Sequence, residues 1–401
     1  MLTPEQLKEI TTQTLSKIIF LVMDGLGGLP HPKNHLTELE TAKTPNLDHL
    51  ARQSICGLHD PVGKGITPGS GPGHLALFGY DPTTTIIGRG VLEALGIGFD
   101  LQDGDLAARG NFCTVDNKGL ITDRRAGRIP TEKCIELCDK LRQIRIKGIK
   151  TFVEPVKDHR FVVVFRGKGL NPDIRDTDPQ TLGAPPKAAE PISTEVQPTT
   201  DMINGFLASA QEILAPEQPA NMLLLRGFSQ HPHLSAMSER YSLHPAAIAA
   251  YPMYRGLAKL VGMEILDAGN SFEDELSALG KHYAKYDFFF IHFKPTDAAG
   301  EDGDFERKVK AIEEVDALLP KVTALNPAVI IVTGDHSTPA LLKSHSWHPV
   351  PFMLNSPYCR PDETTEFSER ACTKGSLGRF PGVEIMPLAL ANALKLTKFG
   401  A

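Results

Sequence analysis

The sequence predicts an α/β core with a mostly parallel sheet flanked by helices, and a smaller α/β domain inserted into it. Three observations predict this. Continuous apolar runs recur at Lys17–Asp24, Tyr286–Phe293 and Ala328–Thr333, and runs apolar on both faces mark strands buried inside a parallel sheet. Helical patterns lie between these runs, as strand–helix–strand crossovers require. From about Asp105 to about Ala236 the apolar runs shorten and turn signals crowd together, which marks a separate unit. With 401 residues the chain has room for two domains of ordinary size.

In chain order, Lys17–Asp24 ends in an aspartate and runs into Gly25-Leu26-Gly27-Gly28, a turn. Thr44-Pro45 offers an N-cap hydroxyl and a proline at the first helical position for a helix through Arg52. Gly65–Phe78 reads as a glycine-rich turn entering a short helix. Within the insert, Thr151–Glu154 and Phe161–Phe165 read as strands, and Gly169–Asp173 and Gly183–Lys187 as loops. The main sheet resumes with Ala246–Tyr251 and Met263–Asp267. Arg307–Leu319 carries Val309, Ile312, Val315, Leu318 and Leu319 at helical spacing. The expected division is therefore a core of residues 1–105 and 237–401 and an insert of residues 106–236.

Composition removes several classes of function. Charged residues at 22% and hydrophobic residues at 41% are ordinary for a globular chain, which excludes a fibrous or disordered protein. The 42 basic residues are outnumbered by 48 acidic ones, so there is no basic excess with which to grip a phosphate backbone, and nucleic acid is not an expected partner. No apolar run reaches the roughly 20 residues that a membrane-spanning helix needs, so no membrane partner is expected either. Met1–Gln6 is polar, without a charged-then-apolar leader. Six cysteines without a Cys-x-x-Cys pair read as reduced thiols in the cytoplasm.

Chemistry concentrates at the ends of the apolar runs. In open α/β sheets, ligands bind beyond the carboxyl ends of the strands, and Asp24, Asp297, Asp335 and His336 all fall there. Gathering carboxylates is costly unless a cation neutralises them, which points to one or two divalent metal ions. His345, nine residues past His336, is a further ligand candidate. Oxygen and imidazole donors without thiolate suit Mn²⁺, Mg²⁺ or Zn²⁺. A single aspartate after a strand is ordinarily a helix cap, and most histidines are structural; the metal reading rests on three such aspartates, one followed by histidine. Ser70, in Gly65-Ile-Thr-Pro-Gly-Ser70-Gly-Pro-Gly-His74, sits where backbone N–H groups and a helix dipole favour an anion. Beside a divalent cation its hydroxyl can ionise and act as a nucleophile; equally, it can be the N-cap of a plain turn. Pro68 and Pro72 occupy the glycine positions of a serine-hydrolase elbow, and the Walker phosphate loop is absent.

Taken together, Val22-Met-Asp24-Gly-Leu-Gly27, Thr44-Pro-Asn-Leu-Asp48, Pro68-Gly-Ser70-Gly-Pro-Gly-His74-Leu-Ala-Leu-Phe-Gly-Tyr-Asp-Pro82, Gly88-Arg-Gly90, Asp123-Arg-Arg-Ala-Gly-Arg128, Thr333-Gly-Asp335-His336 and His345-Ser-Trp-His-Pro-Val-Pro351 resemble the cofactor-independent phosphoglycerate mutases. The match is to the shorter, archaeal-type branch, within the alkaline phosphatase superfamily. The resemblance implies an alkaline-phosphatase-like core and a two-metal phosphoryl transferase that needs no 2,3-bisphosphoglycerate. It implies that Ser70 becomes phosphorylated, that Asp24, Ser70, Asp335 and His336 hold one metal, and that Asp297 and His345 hold the other. Where the family usually has a histidine four residues after the aspartate, this chain has Glu301; a carboxylate there suits Mn²⁺ or Mg²⁺, with Zn²⁺ or Co²⁺ as alternatives.

In the insert, Asp173-Ile-Arg175-Asp176 is similar to the family's Asp-Gly-Arg-Asp segment. That similarity implies that Arg175 and Asp176 face glycerate, with Asp176 as general acid and base. His159, Arg124, Arg128 and Arg226 lie in stretches similar to those that clamp the phosphate and carboxylate, and Arg255 replaces a lysine that reaches the phosphate. The same arginines read without the family as a solvated surface. The insert would then be a substrate-binding, transferase domain, and closure would keep water from phosphoserine. The implied reaction interconverts 3-phosphoglycerate and 2-phosphoglycerate, small phosphorylated substrates of glycolysis and gluconeogenesis. A metal-dependent phosphatase, or a phosphomutase for another metabolite, fits the same core. A catalytically silent phosphate sensor is a third reading, to which Glu301 alone points.

Overall fold

All six side chains of the first apolar run, Ile18–Met23, are fully buried in the computed structural model, which describes residues 2–85, 87–232, 234–269 and 271–400. In chain order its strands are β1 (Ile18–Met23), β2 (Ser54–Asp60), β3 (Leu106–Val115), β4 (Ile121–Asp123), β5 (Lys150–Lys157), β6 (Arg160–Arg166), β7 (Met222–Ser229), β8 (Pro245–Ala249), β9 (Glu264–Ile265), β10 (Phe288–Phe293), β11 (Val329–Thr333), β12 (Val350–Asn355) and β13 (Gly378–Pro381). They form two compact units, one of residues 2–85 with 234–400 and the other of residues 87–232.

The first unit is built on an eight-stranded sheet in the order β13-β2-β12-β11-β1-β10-β8-β9. Its pairings are parallel except at β12, which runs antiparallel to both β11 and β2. The central strands β1, β10 and β11 are buried along their whole length, as a sheet covered on both faces demands. The helix Phe305–Thr323 lays Val309, Ile312, Val315, Leu319 and Val322 into this core. The helix Pro45–Ala51 starts after Thr44 as expected, but the Thr44 hydroxyl makes no capping bond. Its work is done from outside: Asp316 Oδ1, on Phe305–Thr323, accepts from the N–H groups of Asn46 (2.9 Å) and Leu47 (2.7 Å). A tertiary carboxylate thus satisfies free N–H groups that the local sequence leaves open.

The second unit has an antiparallel five-stranded sheet, β4-β3-β6-β5 with β7 also on β3. The helices Thr131–Leu141 and Gln197–Leu214 bury their apolar faces in its core. The helix Arg89–Gly96 belongs to this unit, because it packs on β3 and β7. The boundary therefore falls near residues 87 and 233, earlier than a composition shift at 105 suggests. Among the described residues, no helix is long and apolar enough to cross a membrane.

The helix Ser70–Leu77 is capped by Gly69, so Ser70 is its first residue and not its cap. This helix lies against the end of β11. A Cβ on Gly73 would stand 2.3 Å from the backbone oxygen of Asp335, closer than any side chain tolerates. Gly73→Ala is expected to destabilise the first unit by about 1–3 kcal/mol through overpacking, read as a lowered midpoint in thermal denaturation; an unchanged midpoint would show that the helix moves aside without cost.

Candidate active site

The parallel register aligns Val22 with His292 and Thr333, and Met23 with Phe293. Residues just past these positions therefore emerge at one edge of the sheet: Asp24 after β1, Asp297 after β10, Asp335 and His336 after β11. Ser70 arrives there on the first turn of its helix. His336 Nε2 is the point of convergence, 3.3 Å from Asp24 Oδ1, 3.2 Å from Asp335 Oδ2 and 3.3 Å from Ser70 Oγ. All four residues are buried. Ligand atoms of Asp24, Asp335 and His336 lie within 4.8 Å of one another, and so do those of Asp297, His336 and His345.

The second group differs in detail from the expected set. His345 stacks on His336 with ring centroids 3.6 Å apart, and its Nε2 lies 3.7 Å from Asp297 Oδ1 and 3.8 Å from Glu301 Oε1. Glu301 sits one turn after Asp297 on the helix Pro295–Asp302, with its side chain 55% exposed, at the rim. His336 takes the third place in the tight group.

Donor chemistry at this edge fits divalent cations. Among the described residues Asp24 Oδ1 is buried without a hydrogen-bond partner, a costly state for a carboxylate that a coordinated cation relieves, and buried Asp335 Oδ2 has only the His74 imidazole, 3.0 Å away, on its far side. The His345 Nδ1–H can only donate to the Pro68 carbonyl, 2.9 Å away, which leaves Nε2 bare as a ligand. His292 Nε2 donates to Asp24 Oδ2 at 3.1 Å, and His74 Nδ1 lies 2.8 Å from the Ser70 carbonyl and 3.0 Å from Asp335 Oδ2. These imidazoles fix the carboxylates from behind.

Sequence reasoning did not single out Lys294, His292 or Tyr254. The Lys294 ammonium donates to Asp24 Oδ2 and the Tyr254 hydroxyl, both at 3.0 Å, and to Asp297 Oδ2. Tyr254 stacks on His292 at 3.6 Å. A signal was present: His292 and Lys294 are the polar interruptions at the end of an otherwise apolar strand. Burial works to raise the Asp24 carboxyl, but Lys294, His292 and His336 outweigh it and hold Asp24 well below the usual carboxylate range. Burial likewise opposes charge on Lys294, yet Asp24, Tyr254 and Asp297 keep it protonated well above its ordinary value. For His336 burial dominates and lowers its pKa, which favours the neutral imidazole that a metal requires.

In the second unit, Asp176, Arg226, Asp178 and Arg124 form one network. Arg124 grips Asp178 with two bonds of 3.1 and 2.6 Å, and Arg226 lies 3.5 Å from Asp176 and 3.6 Å from Asp178. Asp176 Oδ1 accepts from the Gly227 N–H at 2.7 Å. Its carboxylate is still 35% exposed, open to a ligand. His159 is buried, and burial followed by the charges of Arg160, Arg109 and Arg125 pushes its pKa down to about 4, so it is neutral near pH 7. Arg109, which sequence reasoning passed over, also faces buried Glu93 at 3.6 Å. Arg175 and Arg128 are exposed on the same unit. Arg255 lies instead in the first unit, half-buried beside Tyr254 on the helix Pro252–Leu260.

Residues 51–221 match the family described as 2,3-bisphosphoglycerate-independent phosphoglycerate mutase. A protein of Thermus thermophilus named "Probable 2,3-bisphosphoglycerate-independent phosphoglycerate mutase" is 52% identical over 98% of each chain. One of the same name from Aquifex aeolicus is 49% identical over 98% of this chain and 99% of its own. The solved structure of the cofactor-independent phosphoglycerate mutase from Thermoplasma acidophilum superposes with a TM-score of 0.70 at 30% identity, covering 94% of this chain and 100% of that one. With identity near one half sustained over nearly its whole length, the chain belongs to the 2,3-bisphosphoglycerate-independent phosphoglycerate mutase family.

Proposed function

We propose that this enzyme interconverts 3-phosphoglycerate and 2-phosphoglycerate through a phosphoserine on Ser70, with two divalent cations, as a cytoplasmic step of glycolysis and gluconeogenesis. The observation that carries the reading is the convergence of Ser70 Oγ, Asp24 Oδ1 and Asp335 Oδ2 on His336 Nε2, all within 3.3 Å. A hydroxyl at a helix start, surrounded by metal-type donors, is placed to accept a phosphoryl group. The six free cysteines support a reducing compartment.

Asp24, Ser70, Asp335 and His336 would hold one cation, and Asp297 and His345, with Glu301 at the rim, the other. When bound, the cations would neutralise phosphoryl oxygens and lower the pKa of the Ser70 hydroxyl. The oxygen-rich set favours Mn²⁺ or Mg²⁺. Ser70 Oγ, ionised before substrate binds, attacks phosphorus in line, the bond to the substrate oxygen breaks, and protonated Asp176 gives its proton to the leaving alkoxide. Arginine forks, with Arg226, Arg175, Arg128 and Arg124 as candidates and His159 beside them, keep glycerate bound by its carboxylate; Arg255 would contact the phosphate. The Asp176 carboxylate then takes the proton of the other hydroxyl, whose oxygen attacks phosphoserine and frees Ser70. Both 2,3-bisphosphoglycerate and an external phosphate donor are unnecessary, because Ser70 holds the phosphoryl group and returns it to the glycerate it came from.

The direct test follows brief exposure to 3-phosphoglycerate by mass spectrometry. A phosphorylated Ser70, with 2-phosphoglycerate formed without added 2,3-bisphosphoglycerate, is expected; release of inorganic phosphate alone would identify a phosphatase instead. Ser70→Ala is expected to lower turnover by at least about a thousandfold while leaving the fold intact, and substantial residual mutase activity would refute the nucleophile. Asp176→Asn should cost about a hundred- to ten-thousandfold in kcat, with phosphoserine formation slowed; a native rate would remove Asp176 from proton transfer. Exhaustive chelation should inactivate the enzyme and added Mn²⁺ should restore it, whereas an unchanged rate after chelation would contradict the metal sites.

A further inference from the structure

We propose that Thr338 is a positioning residue that joins the two halves of the site: its hydroxyl sets the tautomer of His336 and the orientation of Asp297 together. Thr338 is fully buried. Its Oγ1 donates to Asp297 Oδ1 at 2.6 Å and lies 2.9 Å from His336 Nδ1. A hydroxyl has one proton. That proton is committed to the carboxylate, which can only accept. The contact with the imidazole must then run the other way, with Nδ1–H donating to the threonine oxygen. His336 is thereby held as the Nδ1–H tautomer, and its Nε2 lone pair faces Ser70, Asp24 and Asp335. His336 stands in both ligand groups and Asp297 in the second, so one hydroxyl addresses both.

The threonine is itself held from three sides. Its N–H is shared between the Gly25 carbonyl (3.2 Å) and the Gly27 carbonyl (3.1 Å). Its carbonyl accepts from Lys308 Nζ at 2.8 Å, and the same ammonium donates to Gly25 O (2.9 Å) and Gly27 O (3.0 Å). Lys308 is fully buried, and its three N–H donors are matched by these three carbonyls. The loop after β1, which follows Asp24, is therefore clamped to the loop after β11, which follows His336. Gly25 makes the approach possible: at φ +63, a Cβ there would stand 2.6 Å from Thr338 Oγ1 and 2.7 Å from Asp297 Oδ1. A hydroxyl held this firmly can fix the orientation of the groups it bonds, as outer-shell partners of metal ligands do.

This inference rests on the two-cation reading above, and the test separates the two. Mn²⁺ binding to the metal-stripped protein is measured by titration calorimetry for the wild type, Thr338→Val and Thr338→Ser, alongside thermal midpoints of the stripped proteins. The isosteric valine lacks the hydroxyl and should weaken Mn²⁺ binding by about ten- to a hundredfold; the serine keeps it and should restore most of the affinity. A merely structural threonine would lower the midpoint while leaving Mn²⁺ affinity unchanged, and that result overturns the proposal. A wild type that binds no Mn²⁺ overturns the two-cation reading itself. Nitrogen NMR of the His336 ring in the stripped wild type gives a second measurement that needs no variant: protonated Nδ1 with bare Nε2 is expected, and the opposite tautomer refutes the role of Thr338.

Discussion

Like charges brought together out of water are the constraint around which the first unit is organised. Asp24, Asp297 and Asp335 are fully buried at one edge of the sheet, where each would repel the others and resist ionising. The chain answers with its own ammonium and imidazole groups before any metal is considered. Lys294 bridges Asp24 and Asp297, His292 and His74 approach Asp24 and Asp335 from behind, and Lys308 lies just beneath, on carbonyls. Removing Lys294 would leave Asp24 and Asp297 buried without their ammonium partner, which is far more costly than losing an exposed ion pair.

That constraint explains why the supporting elements are so densely bonded. A cluster of buried charge is tolerated only in a fixed geometry, and the loops that carry the candidate ligands are held by backbone bonds and by the buried Lys308 ammonium. Gly73 lets the helix carrying Ser70 touch the backbone of Asp335, which sets the hydroxyl against the ligand cluster. The Pro68 carbonyl engages His345 Nδ1, so the turn that delivers the serine also orients a candidate ligand of the other group. The proposed nucleophile and the candidate ligands are in this way parts of one packed object.

Much of this was legible in the sequence, and the exceptions have physical reasons. Strands β1, β10 and β11 read directly, because double-sided burial forces uninterrupted apolar runs. Strands β2 and β12 did not, since His59 and Pro351 interrupt their pattern. The Thr44 cap failed because Asp316, about 270 residues away in sequence, supplies the acceptor instead; only tertiary structure can reveal that competition. The aspartates and histidines at the strand ends were visible through their chemistry. Lys294 and Thr338 were not, because a lysine near a strand end ordinarily marks solvent and a threonine in a turn ordinarily satisfies itself. The helix Arg89–Gly96 went to the wrong side of the boundary because its sequence is helical in the ordinary way, and what assigns it is the face it packs, β3 and β7.

Glu301 separates what is preorganised at this edge from what is not. Asp297 is locked by Thr338 and Lys294, and His345 by Pro68 and by stacking on His336. Among the described residues Glu301 has no such support; its side chain is more than half exposed and meets His345 at 3.8 Å. A glutamate also has one more rotatable bond than an imidazole side chain, so ordering it on a cation costs more conformational entropy. A second-site cation would therefore be held chiefly by the rigid pair, with the rim carboxylate adding charge more than geometry. Added negative charge favours hard cations over borderline ones, so the substitution bears first on which ion is preferred at that site. In the proposed reaction, the chemistry falls on the buried groups around Ser70.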